Sequence, residues 1–417
     1  MSTGKIKVNL STSQKYLQAN TAQTIYLMLQ IVQPKIDLGT DRLPVNVGFV
    51  IDRSGSMHGE KLDYTKQAVK FALSHLDQDD TASVVLFDDQ VDLLIPATKV
   101  EKKEQLLQLI SGLTTGGMTN LSGGLLEGAG QVRTNFVADQ INRVILLTDG
   151  MANKGITDTE RLTAMVRELR GSGLTVSTLG VGEDFQEDLL VDMAEAGDGN
   201  FYFIASPDTI PEIFKKELQG LLNVTGQNPG LAFSPGEGVE ITAVLGYEPQ
   251  WGETVAIKLP DIYNGDTRTV LVELKVKAQS TGMLPLLKIG FHYFDVTAGL
   301  ASVKYDFDLD LQVIADQSAL ETGIDLKVVK EVEIFNTARS REKAMEEADR
   351  GDFEKARQIL ADQKKKLEEI YQSTKDSEIL EQIEQLQSNI GFMGQEHYSA
   401  MSRKTMKHSS YQIRKKR

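Results

Sequence analysis

The chain has 417 residues, 41% hydrophobic and 25% charged, with a formal net charge of −14 and no cysteine. This length suggests two to three domains with sizeable cores, and the acidic balance disfavours nucleic acid or an anionic membrane as partner of the whole surface. Without cysteine there are no disulfides, thiolate metal sites or cysteine nucleophiles.

The opening run Met1-Ser2-Thr3-Gly4-Lys5-Ile6-Lys7 lacks the apolar core of a signal peptide. No run approaches the ~18 apolar residues of a membrane span. A soluble cytoplasmic protein is the expectation.

Residues 1–42 hold two strand-like stretches, Lys5–Leu10 and Thr24–Val32, the first alternating at period two. Residues 43–225 alternate short apolar strands with helical patterns, which predicts an α/β domain with a doubly wound, mostly parallel sheet covered on both faces. Strands are expected at 45–51, 82–87, 91–95, 143–148, 174–180 and 200–204. Only Asp88-Asp89-Gln90 separates the second and third, too little for a crossover, so those two should form an antiparallel hairpin. Thr157-Asp158-Thr159-Glu160 reads as a capping box, and Ser206-Pro207 as an N-cap followed by a first-turn proline.

Residues 226–316 change to an all-β pattern, with strands at 239–244, 270–276 and 287–294 between Gly, Pro and Asp turns. The strands before residue 35 are expected to complete a β-sandwich with them, which makes the α/β domain an insertion. Residues 317–396 read as a helical region: a hairpin breaks at Gly351-Asp352, and Ile379, Ile383, Leu386 and Ile390 form an apolar stripe on a further helix. Residues 397–417 form a basic tail with seven Lys or Arg and no acid after Ser402. It reads either as an unstructured solubilising end or as a dock for an acidic partner or nucleic acid.

Chemistry concentrates at Asp52-Arg53-Ser54-Gly55-Ser56, directly after the apolar strand 45–51. Three oxygen-bearing side chains at alternate positions make half a site for a hard divalent cation, which takes oxygen ligands. Two distant segments can complete it. Thr119 lies in the loop Thr114-Thr115-Gly116-Gly117-Met118-Thr119-Asn120, and Asp149 follows the apolar strand Val144–Thr148 and precedes Gly150. These strand ends are where open α/β sheets place ligands. Gly116 and Gly117 would let the Thr119 loop approach the ion closely. Arg53, alternating with the ligands, should point away, and His58 reads as an exposed side chain, since a hard cation prefers oxygen.

This pattern resembles the von Willebrand factor A (VWA) domain with a metal-ion-dependent adhesion site (MIDAS), in the prokaryotic chloride-channel-like layout, although nothing in the chain could form a pore. The resemblance implies that Asp52, Ser54, Ser56, Thr119 and Asp149 hold Mg2+ (or Mn2+ or Ca2+), with Asp149 acting through water. It also implies a protein-interaction module that grips an Asp or Glu of a protein partner, as an intracellular scaffold or AAA+ ATPase co-factor. Self-association, with an acidic group of a neighbouring copy entering the site, is the alternative. A metal-dependent hydrolase has less support: the five histidines are scattered, with neither a His-Glu-x-x-His pair nor a phosphate-binding Gly-x-x-x-x-Gly-Lys loop.

Overall fold

The computed structural model describes residues 5–36, 43–137, 140–150, 152–182, 185–278, 280–394 and 398–415. The chain divides into two compact units, residues 38–224 and a unit made of residues 1–37 and 225–417.

The chain opens with β1 (Lys7–Thr12), β2 (Tyr16–Gln18) and β3 (Thr21–Val32). The unit at 38–224 follows: β4 (Val45–Asp52), α1 (Glu60–His75), β5 (Thr81–Phe87), β6 (Val91–Lys99), α2 (Lys103–Ser111), α3 (Leu121–Thr134), β7 (Ile141–Thr148), α4 (Thr159–Gly171), β8 (Thr175–Val181), α5 (Glu187–Ala196), β9 (Asp198–Ile204) and α6 (Ile210–Leu222). Its six strands lie in the order β6-β5-β4-β7-β8-β9. Only β6 runs antiparallel, as the hairpin partner of β5. Every residue of β4, β5 and β7 is buried, the mark of a sheet covered on both faces.

Helix α3 shows how sequence sets packing here. A Cβ added at Gly124 would come 2.5 Å from the Phe87 ring, and one at Gly128 would collide with Val50 Cγ2. The Leu-Ser-Gly-Gly-Leu-Leu-Glu-Gly run therefore lays α3 closer to the sheet than any larger residue would allow. Because α3 starts directly after Asn120, whose side chain caps it by accepting from the Gly123 amide, that approach also fixes where the Thr119 loop lies. Helix α4 starts differently from expectation. Asp158, not Thr157, is its cap, accepting from the Arg161 amide at 2.9 Å. The Ser206 side chain makes no capping bond, and Pro207 opens a short 3-10 turn that leads into α6.

The other unit resumes with β10 (Val224–Pro235), β11 (Val239–Leu245), β12 (Val255–Lys258), β13 (Ile262–Tyr263), β14 (Thr267–Ala278), β15 (Gly282–Asp295) and β16 (Ala301–Ile314). Two sheets result, β1-β3-β14-β11 and β12-β10-β15-β16-β2, with β13 on β10. Alternate residues make the core between them: Ile25, Leu27, Leu29 and Ile31 of β3 and Val270, Val272 and Leu274 of β14 join Phe233, Ile289 and Phe291 in one buried cluster. The opposite face of the first sheet, with Met28, Leu245 and Leu271, is covered by Val328, Val332 and Phe335 of a helix. Strand β16 alternates Val303, Tyr305, Phe307 and Leu309 with exposed Lys304, Asp306, Asp308 and Asp310, a period-two signal not singled out above.

The chain ends in α7 (Gln317–Thr322), α8 (Leu326–Asp349), α9 (Phe353–Thr374), α10 (Ser377–Phe392) and α11 (Ala400–Lys415). Gly351, at φ 87°, makes the break between α8 and α9, and the Asp352 side chain then caps α9. Residues 400–415 differ from the unstructured reading of the basic tail. Met406, Tyr411 and Ile413 are buried, Arg403 pairs with Asp349 at 3.0 Å, and Arg414 pairs with Glu342 at 3.1 Å. The basic residues face the acids of α8, a pairing that composition does not reveal. Residues 397, 416 and 417 of that tail lie outside the described residues.

Candidate functional site

Asp52 is the last residue of β4 and Asp149 the first after β7, and these two strands are parallel neighbours with Ile51 opposite Leu147. The strand order reverses here, since β4 leads out to β5 on one side and adjoins β7 on the other. Such a switch point opens a crevice at the strand C-termini.

Both Asp52 oxygens are engaged. Thr148 Oγ1 donates to Oδ2 at 2.5 Å, and the Ser54 amide donates to Oδ1 at 2.8 Å. The hydroxyls of Ser54 and Ser56 lie 3.1 Å apart. The loop bearing Thr119 is tied to this turn by two backbone bonds, Gly55 N to Gly117 O at 2.9 Å and Gly116 N to Arg53 O at 2.6 Å. Thr119 itself is held on its other side: its amide donates to Asn153 Oδ1 at 2.7 Å, and its carbonyl accepts from the amides of Asn153 and Lys154. Asp52, Ser54, Thr119 and Asp149 are buried, whereas Ser56 is exposed.

Asp149 is engaged on one side only. Lys61 Nζ lies 3.2 Å from Oδ2, while Oδ1 is buried with no hydrogen-bond partner. A buried acceptor left unmade costs about 1–3 kcal/mol, and more when charged. The Asp52 carboxyl is pushed up to about 6, first by burial and further by the nearby Asp149 charge, with the bonds from Ser54 and Thr148 pulling it back down. Two buried carboxylates with an orphaned oxygen could hold a cation, and the oxygen-only donor set would suit a hard one. Among the described residues, no group of three or more His, Cys, Asp or Glu is placed to hold a metal ion.

The neighbours behave as chemistry requires, with one change of reason. Arg53 turns to Asp88, Nε to Oδ2 at 3.0 Å, and to Asp92. Gly116 makes room for that pair, because a Cβ there would fall on the Asp88 carboxylate, a reason not apparent from the sequence. His58 is exposed. Sequence reading missed Lys61, Asp88, Thr148 and Asn153. Thr148 stood in view beside Asp149; the other three gain meaning only from the spatial neighbours they meet.

The sequence pattern of the von Willebrand factor type A domain matches residues 46–216. Residues 46–216 are a VWA domain. Among curated proteins, the chain is 28% identical over 257 residues to the uncharacterized protein YfbK of Escherichia coli, covering 59% of this chain and 44% of that one. It is 26% identical over 369 residues to sll0103 of Synechocystis, covering 85% and 86%. The bovine inter-alpha-trypsin inhibitor heavy chain H3 is 34% identical over 165 residues, 37% of this chain and 18% of the relative. The chain thus spans less than half of YfbK and a small part of the heavy chain.

Two solved structures share the fold over nearly the whole chain. A von Willebrand factor type A protein from Catenulispora acidiphila superposes with a TM-score of 0.72 at 17% identity, covering 93% of this chain and 89% of that one. The ArnB paralog VWA2 from Sulfolobus acidocaldarius gives 0.65 at 18% identity, covering 97% and 98%. VWA domains typically mediate protein–protein contacts. No helix among the described residues is long and apolar enough to cross a membrane.

Proposed function

We propose that the VWA domain is a MIDAS module in which Asp52, Ser54, Ser56, Thr119 and Asp149 hold Mg2+ (or Mn2+ or Ca2+) and present it to an Asp or Glu of a protein partner. The observation that carries this reading is the buried, unpartnered Asp149 Oδ1 beside three loops joined by hydrogen bonds. Asp52 and Asp149 supply negative charge, and the hydroxyls of Ser54, Ser56 and Thr119 supply neutral oxygens. When bound, the cation supplies a Lewis-acidic centre with an open position for a carboxylate oxygen. The chain's own residues supply the frame: Thr148 orients Asp52, and Asn153 fixes the Thr119 backbone.

The proposed role is binding rather than catalysis, as the ligand set itself, two carboxylates and three hydroxyls, includes no evident general base to activate a water. An intracellular scaffold or AAA+ ATPase co-factor, in the chloride-channel-like arrangement of VWA domain and flanking regions, is the biological form of this proposal. Calorimetry with Mg2+ and Mn2+ tests it: wild type binds and Asp52→Ala does not. Protein partners captured equally with and without EDTA would sink the metal-bridged form.

Self-association is the second reading, favoured by the exposed Asp306, Asp308 and Asp310 along β16, which give the chain carboxylates of its own to offer a neighbouring copy. Sedimentation velocity across a concentration series, with and without EDTA, separates the two. Assembly that EDTA reverses points to copies of this chain; a persistent monomer points to a different protein.

A further inference from the structure

Lys61 sits in the first turn of α1 and belongs to no ligand set. Its ammonium lies 3.2 Å from Asp149 Oδ2, and its side chain is 20% exposed against 1% for Asp149. Its stem is confined as well: a Cβ on Gly182, just after β8 and at φ 79°, would come within 2.6 Å of Lys61 Cε. The side chain is thus held along its length, with a packed stem and a head placed on a buried carboxylate.

We propose that Lys61 is a built-in counter-charge that makes the cation site selective for an anionic partner group. The inference rests on the cation site proposed above and concerns what that site prefers. By engaging Oδ2, the ammonium leaves Oδ1 as the one Asp149 oxygen open to a cation. It also cancels one of the two carboxylate charges. Asp52, Asp149 and Lys61 sum to one negative charge, so a divalent cation leaves the loaded site with one positive charge. Without Lys61 the loaded site would be neutral.

Two opposite consequences follow. Repulsion between the ammonium and the cation weakens metal binding, and the same positive charge strengthens the pull on a carboxylate over a neutral carbonyl or water. Charges this close in a buried crevice of low effective dielectric interact strongly before screening. The partial exposure of Lys61 reduces this, which leaves an effect of about tenfold.

The test reads the sign of the change. Lys61→Met keeps an unbranched stem beside Gly182 and removes the charge, Lys61→Gln is a second neutral variant in case the first misfolds, and Lys61→Arg keeps the charge. With Mn2+ alone in acetate-free buffer, calorimetry should show the neutral variants binding about tenfold tighter than wild type, with Lys61→Arg near wild type. Acetate is then titrated into the Mn2+-saturated proteins and followed by water-proton relaxation. The neutral variants should need about tenfold more acetate to displace the Mn2+-bound water. A purely structural role predicts the reverse sign, because loosening Asp149 weakens Mn2+. Unchanged or weaker Mn2+ binding in the neutral variants overturns the counter-charge and leaves the cation site standing. No Mn2+ binding by wild type or variants overturns both.

Discussion

Thr148 Oγ1 donates to Asp52 Oδ2 at 2.5 Å, and the same oxygen accepts the Gly150 amide at 2.8 Å. One hydroxyl therefore joins the ends of two neighbouring strands and sets the angle of the Asp52 carboxylate, while its acceptor bond shapes the turn that carries Asp149. Groups that orient a ligand in this way typically contribute 10- to 100-fold to metal affinity. Thr148→Val, equal in shape, should keep the fold and weaken Mn2+ binding by about tenfold or more, read by calorimetry. Unchanged affinity would mean that Asp52 is held by the Ser54 amide alone.

Chelation should be visible in stability. A ligand that binds only the folded state stabilises it by an amount that grows with the ratio of its concentration to Kd, about 2.7 kcal/mol at a hundredfold excess. Wild type should therefore melt higher in Mg2+ than in EDTA, and Asp52→Ala should melt at the same temperature in both. Differential scanning calorimetry supplies the comparison.

The close approach of α3 to the sheet predicts a steric cost. Gly128→Val forces a branched side chain against Val50, and overpacking of this kind costs about 1–3 kcal/mol. The urea midpoint should fall accordingly. Gly130→Ala, in the same helix with nothing near its Cβ position, should raise it slightly through helix propensity, by up to about 1 kcal/mol.

A buried pair gives the unit at 38–224 a pH dependence. Glu217 of α6 accepts from Arg143 at 2.7 Å, Ser177 at 2.6 Å, Asn200 at 2.8 Å and Tyr202 at 3.0 Å. Burial pushes its carboxyl up, yet the Arg143 charge and these hydrogen bonds outweigh burial and hold it below its ordinary value of 4.5. Because the folded value is the lower one, the contribution is full above 4.5. It declines as pH falls below 4.5, and it is gone once pH passes the folded value. Urea midpoints measured from pH 7 downward should show this loss in wild type. Glu217→Gln leaves Arg143 without its charge partner and should cost about 3–5 kcal/mol at neutral pH, with a flatter acid limb.

The helical region offers a smaller test. Asp376 accepts from the Glu378 and Ile379 amides at the start of α10 and pairs with Lys330 of α8 at 2.7 Å. Its carboxyl is held below the usual range, first by the Lys330 hydrogen bond. Asp376→Ala should cost about 1–2 kcal/mol, mostly as a lost cap. Asp376→Asn keeps a capping oxygen and should recover most of that in a thermal melt.

What the sequence determined by itself is local. Runs such as 45–51 and 143–148 were too apolar for anything but buried strands, Asp88-Asp89-Gln90 was too short for a crossover, and Asp52, Ser54, Ser56, Thr119 and Asp149 were legible as oxygen donors at strand ends and in one loop. Periodicity and loop length encode burial and chain reversal, so they can be read from neighbours in sequence. Tertiary structure alone decided which distant side chains meet. It set Thr148 on Asp52, Lys61 on Asp149 and Glu217 on Arg143, and gave Gly116 its reason in the Asp88 carboxylate. It also turned the basic tail into α11 by setting Arg403 and Arg414 against acids of α8. Such pairings depend on which strands and helices become neighbours and on hydrogen-bond distances, and neither leaves a period in the chain.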